Sequence, residues 1–146
     1  MDSIRTNATV SAAGEFWEFL DKLVAQTKIV VDRPKGSAHP RYLDAIYPMD
    51  YGYLEGSRSA DGAGIDVWLG TVPSTRVQAV LCSVDLVKSD AELKLLMGCS
   101  SAEVEAAVDF CNRACMRSLL VERPRDARYG RTDGNAVIAG KAQDIL

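Results

Sequence analysis

The sequence predicts an α+β, mainly β fold, a five-stranded mixed barrel with flanking helices. Three observations point there. Five short segments rich in β-branched and aromatic residues, at 28–32, 47–54, 65–70, 77–86 and 92–97, are separated by turn-forming clusters of Gly, Pro, Asp and Ser. Two other stretches, 15–26 and the one beginning at Ser100, place their apolar residues at helical spacing. At 146 residues the chain makes one domain, long enough to bury roughly two-thirds of the surface its unfolded form would expose.

Residues 1–13 are small and polar and are expected to form a flexible N-terminus. The domain proper is expected over 14–121. After Gly14, residues 15–26 hold Phe16, Trp17, Leu20, Leu23 and Val24 on one face, the stripe of an amphipathic helix packed on a core. Lys28-Ile29-Val30-Val31-Asp32 is a β-branched strand ending in an acid, and the loop after it gathers Arg33, Lys35, His39, Arg41 and Tyr42.

The run Tyr47-Pro48-Met49-Asp50-Tyr51-Gly52-Tyr53 reads as a strand whose tyrosines share one face by the two-residue period. It is followed by Asp61-Gly62-Ala63-Gly64-Ile65-Asp66-Val67, where Gly62 and Gly64 allow a tight turn with a carboxylate at each end. Two such carboxylates aimed into one polar mouth suit Mg²⁺, a hard cation that takes carboxylate oxygens and keeps several waters, so that two or three acids plus a phosphate suffice. The alternative is a turn of the Asx type, in which the same acids only satisfy backbone amides.

The segment 77–86 alternates only in part, as a strand covered on both faces does. Ser100 and Glu103 form an S-x-x-E capping box that starts a helix whose buried stripe is Val104, Ala107, Val108 and Cys111. Residues 122–146, arginine-bearing and without periodicity, are expected to be a basic, solvated C-terminal extension.

Composition excludes several functions. A net charge of −3 with interspersed signs is the opposite of a nucleic-acid-binding surface. With four cysteines, no C-x-x-C pair and one histidine, a zinc site is not expected. The cysteines are expected as reduced thiols, three of them buried, in a cytoplasmic protein. No signal-peptide core and no membrane span are expected.

A strand ending in an acid, a cationic loop, an aromatic strand and a carboxylate turn, in this order, resemble the family I soluble inorganic pyrophosphatases. That family's pattern is D-G-D-P-x-D-V after Y-P-x-x-Y-G-Y, with a glutamate-bearing strand and a K-Y pair upstream. The resemblance covers roughly residues 16 to 121 and implies an OB-like barrel that hydrolyses inorganic diphosphate to two phosphates with Mg²⁺. It sets Asp61 and Asp66 on the outer two metal-binding acids and Tyr51 on the phosphate-binding tyrosine. Arg41 and Tyr42 fall on the K-Y pair, and Asp32 on the upstream glutamate. Asp90, Glu92 and Lys94 match a later segment with two more metal acids and a phosphate lysine.

The resemblance therefore implies catalytic acids Asp32, Asp61 and Asp66, substrate contacts Arg41, Tyr51 and Lys94, and metal ligands Asp61, Asp66, Asp90 and Glu92. The partner it implies is pyrophosphate, with no nucleic acid and no membrane, and a homo-oligomer is left open. The chain also departs from the pattern. Ala63 replaces the middle acid, Gly64 replaces the proline, and Phe110-Cys111 stands where the family has a Tyr-Lys pair. The alternatives are a phosphate- or metal-binding relative with weakened catalysis, or a hydrolase of another phosphoanhydride.

Overall fold

A computed structural model describes residues 2–125 of the chain; of the C-terminal extension expected over 122–146, Glu122 ends a strand and Arg123 bonds to Asp21, and positions 126–146 lie outside the described residues. Its elements run α1 (Asp2–Ala25), β1 (Lys28–Arg33), β2 (Asp50–Glu55), β3 (Ile65–Leu69), β4 (Val77–Asp85), β5 (Asp90–Met97), α2 (Ser101–Phe110) and β6 (Met116–Glu122). The six strands form one mixed sheet in the order β1-β2-β3-β5-β4-β6. All neighbours are antiparallel except β3 and β5.

This corrects the expected five-stranded barrel. A sixth strand, β6, pairs with the side of β4 that closure would need, and β1 pairs only with β2, so the sheet stays open with β1 and β6 as edges. Helix α1 also starts well before position 15, with backbone helix from Asp2 through the segment expected to be flexible.

Each face of the sheet carries one helix. Leu54, Val67, Val80, Leu95 and Met97 point to one side and bury Trp17, Leu20 and Val24 of α1. Met49, Trp68, Ala79, Leu81 and Leu96 belong to the other, where Ala107 and Cys111 from α2 and its C-cap close over them. Burying an apolar side chain of this size contributes about 2 kcal/mol, so both helices are held by tertiary packing more than by propensity. Asp21 pins α1 to the sheet, accepting from the Val77 amide at 2.9 Å and from Arg123 Nη1 at 2.9 and 3.0 Å.

Helix α2 begins with the expected box, the Ser100 hydroxyl accepting from the Glu103 amide and the Glu103 carboxylate from the Ser100 amide. All four cysteines are free. Cys99 and Cys111 are buried, but Cys82 and Cys115 are exposed. Two buried thiols thus replace the expected three.

Candidate functional site

The register of the sheet assembles one polar patch. Asp66 on β3 lies opposite Tyr53 on β2 and beside Lys94 on β5, and Trp68 lies opposite Tyr51. Cross-strand partners share a face, and Glu92 joins them two residues before Lys94. The sequence distance between these side chains is removed by pairing alone.

Lys94 is the centre of this patch, buried to 5% exposure. Its Nζ donates to Asp66 Oδ2 at 3.0 Å and to Tyr51 Oη at 3.1 Å, and lies 3.6 Å from Glu92 Oε1. Burial works against the ammonium, but the Asp66 and Glu92 carboxylates prevail, and Lys94 titrates above its ordinary 10.5. Burial raises Glu92 above its ordinary 4.5, with Asp66 and Asp90 adding to the rise and Lys94 and Lys88 opposing it. Tyr51 is pushed well above its ordinary 10.0 by burial and by Asp66, so its phenol stays protonated.

Around this centre opens a cavity of about 820 Å³, within the usual range of small-molecule sites. Its lining contains Asp32, Arg41, Tyr51, Asp66, Glu92 and Lys94, six of the eight residues singled out from the sequence. Asp61 and Asp90 are not among them. They line a separate cavity of about 480 Å³, to which Glu92 also contributes. Asp61 Oδ1 accepts from the Ala63 amide at 3.0 Å, the Asx arrangement weighed above, and Gly62 allows it with φ +88°. Ala63 itself is exposed and lines neither cavity.

Among the described residues, no three His, Cys, Asp or Glu side chains are grouped so that they could hold an ion by themselves. Mg²⁺ asks for less than such a cage, since one or two carboxylates suffice when phosphate and water complete the shell. The donor set fits that case. Asp90 Oδ1 is buried without a hydrogen-bond partner, and Asp61 and Glu92 line the same smaller cavity. An orphaned buried carboxylate oxygen is an acceptor waiting for a cation or water.

Comparison with known proteins adds the fold. The structure superposes on an inorganic pyrophosphatase from Neisseria gonorrhoeae with a TM-score of 0.50 and 16% identity, over 79% of this chain and 88% of that one. The chain has a pyrophosphatase-like fold. An inorganic pyrophosphatase from Thermus thermophilus is also similar, at 17% identity and a TM-score of 0.49 over 78% of this chain and 90% of that one. No protein-family model and no curated protein matches the sequence. Among the described residues, no helix is long and apolar enough to cross a membrane.

The sequence reading missed part of the cavity. Arg33, expected in the loop, instead ends β1 and lies opposite Tyr51, because a bulge between Val31 and Arg33 leaves Asp32 unpaired at the edge. Arg33 Nη1 donates to Tyr47 Oη at 3.4 Å, and its guanidinium stands over the Tyr47 ring. The available signal was Gly52, a lone glycine inside the partner strand, which marks a bulge or close backbone approach without saying on which strand the extra residue falls. Phe110 packs against Tyr47 and Trp68 at 4.7 and 5.3 Å, giving the cavity an aromatic wall. Beside it, burial pushes the Cys111 thiol up to about 11, so it is no nucleophile.

Proposed function

We propose that this protein hydrolyses inorganic pyrophosphate to two phosphates with Mg²⁺. The observation that carries this reading is the buried Lys94 ammonium, held between Asp66 and Glu92 with the Tyr51 hydroxyl beside it, at the floor of a cavity in a pyrophosphatase-like fold. A buried cation held in place by carboxylates is poised to receive phosphoryl oxygens, because its position is fixed before the substrate arrives. Lys94 and Tyr51 then donate to one phosphate, and Arg41 receives the other.

Mg²⁺ would be held by one or two acids drawn from Asp61, Asp66, Asp90 and Glu92 in company with the substrate, and would supply charge neutralisation and an acidified water. Asp32, exposed at the bulge, lining the cavity and 4.0 Å from Arg33 Nε, is the carboxylate that would accept a proton from a water in the cavity. The cavity lining is balanced in sign, with Asp32, Asp44, Asp66, Asp85 and Glu92 against Arg33, Arg41, Lys88, Lys94 and Arg113. That balance suits a substrate that brings its anion and its metal together.

A second reading is a binding relative with weakened turnover. The Asx turn favours it, since Asp61 Oδ1 is already engaged by the Ala63 amide and Ala63 offers no acid in its place. The volume of about 820 Å³, well above the size of pyrophosphate, favours a larger phosphoanhydride.

Phosphate release from pyrophosphate and from a nucleotide panel, each with and without Mg²⁺, separates the three. Pyrophosphate cleaved faster than any nucleotide, and only with Mg²⁺, is the expected result. Binding of pyrophosphate with no release under any divalent metal would leave the binding relative. Arg41→Ala is expected to lower kcat and kcat/KM together by about tenfold, since an exposed charge-assisted contact is worth roughly that. An Arg41→Ala enzyme with unchanged kcat and raised KM would mean that Arg41 binds substrate without favouring the transition state.

A further inference from the structure

The one histidine of the chain has no part in the chemistry above, yet its ring sits in the wall of the cavity. His39 Nδ1 accepts two backbone hydrogen bonds, from the Arg41 amide at 3.0 Å and the Tyr42 amide at 3.2 Å. The rest of the loop is tied elsewhere. The His39 amide bonds to Ala45 O, the Ala45 amide to Tyr42 O and the Tyr47 amide to Ser37 O, with a bridge between Ala38 and Ile46. For the amides of the exposed loop tip, Arg41 and Tyr42, the imidazole is the acceptor.

A nitrogen that accepts two N–H groups carries no proton of its own, so the ring is neutral with its hydrogen on Nε2. Protonation would place a hydrogen on Nδ1, facing two donors and ending both bonds. We propose that His39 is the positioning residue of the anion-binding loop: its neutral imidazole fixes the Arg41-Tyr42 backbone so that the Arg41 guanidinium stays at the cavity, and a proton on Nδ1 releases it. This rests on the reading of the cavity as a phosphate site.

The surroundings favour the neutral ring. It lies parallel to the Tyr47 ring at 6.2 Å and tilted against Tyr42 at 5.2 Å. Partial burial and the cations Arg33 of β1, Arg41 of its own loop, Lys88 of the β4–β5 turn and Lys94 of β5 lower its pKa from the ordinary 6.5. The carboxylates sharing the cavity are Asp32, Asp44, Asp66, Asp85 and Glu92. With the folded value depressed, the clamp is complete above the unfolded value and is lost as pH falls through the folded one.

The test reads amide exchange and pyrophosphate binding together. Exchange protection of the Arg41 and Tyr42 amides, corrected for intrinsic rates, and titration with pyrophosphate are followed from about pH 8 to about pH 5. In the wild type both should fall about tenfold on acidification, the worth of one or two hydrogen bonds. His39→Asn, whose Oδ1 can take the place of Nδ1 and does not titrate, should hold both across the range, and His39→Ala should lack both at every pH with its melting temperature unchanged. Protection at Arg41 and Tyr42 that ignores both pH and the Ala substitution overturns the clamp. Clamped, pH-sensitive amides in a protein that binds no pyrophosphate would uphold the clamp and remove the pyrophosphate reading instead.

Discussion

Lys94→Met is expected to remove pyrophosphate turnover by about 10²–10³-fold and to destabilise the fold by about 3 kcal/mol. The side chain keeps its volume, so the loss is one of charge. In the native site the ammonium sits 3.0 Å from Asp66 Oδ2 and 3.6 Å from Glu92 Oε1, and without it the two carboxylates share a poorly solvated floor with only the more exposed Lys88, 3.8 Å from Glu92 Oε1, as a nearby cation. Lys94 holds down a Glu92 value that burial already raises, so in the variant Glu92 rises further.

The sign of the pH effect follows. A carboxyl whose folded pKa lies above its unfolded one binds more protons in the folded state, and stability therefore falls as pH rises through that window. The variant should melt higher at about pH 5 than at about pH 7.5, while the wild type, with its pair intact, shows a smaller difference. Thermal melts at the two pH values and a phosphate-release assay check both parts. A Lys94→Met protein with more than about a tenth of wild-type turnover would take Lys94 out of the proposed chemistry.

How much of this was legible in the sequence depends on what kind of signal each feature leaves. Helix α2 was readable because a capping box and an apolar stripe are local, and the box is present at Ser100 and Glu103. Strand β6 escapes the sequence pattern because its alternation is broken: inward Met116 and Leu120 pack on the core, but the residue between them is polar and the outward side is apolar too. Its inward residue Ser118 is polar, held by the Ser83 hydroxyl at 2.7 Å and by Cys111 O at 2.9 Å, while its outward Leu119 is exposed. Alternation that puts a serine inside and a leucine outside does not register as a half-buried strand. The barrel expectation failed with it, since closure depends on what pairs with β4.

The site divides in the same way. Tyr51, Asp66, Glu92 and Lys94 lie on strands, and once the two-residue period and the β3-β5 pairing are given, their meeting follows from register. Asp61 lies on a turn, where the same residue serves equally as a ligand or as an Asx acceptor, and its Oδ1 accepts from the Ala63 amide. Asp90 begins β5 and faces the smaller cavity, so the four acids read as one metal set are distributed over two cavities that meet at Glu92. A strand position carries information about direction; a turn position does not.

Gly52→Ala is expected to destabilise the protein by about 3 kcal/mol and to disorganise the cavity, whose wall residue 52 joins by its backbone alone. A Cβ at Gly52 would stand 1.9 Å from Val30 O and 2.9 Å from the Val31 Cα, both backbone atoms of β1 that cannot rotate away. The close approach exists because β1 bulges there: Val31 lies opposite Gly52, while Arg33, two residues on, lies opposite the neighbouring Tyr51. Pushing β1 outward would therefore undo the bulge, return Arg33 to the ordinary alternation and withdraw it from the Tyr47 hydroxyl. The core on the α1 face, with Leu54, Val67 and Leu95, is built by other strands and should survive. The expected variant folds with a melting temperature lower by about 10 °C and binds pyrophosphate several-fold more weakly. Wild-type melting and wild-type affinity together would show that β1 can shift without cost, and that the bulge does not position Arg33.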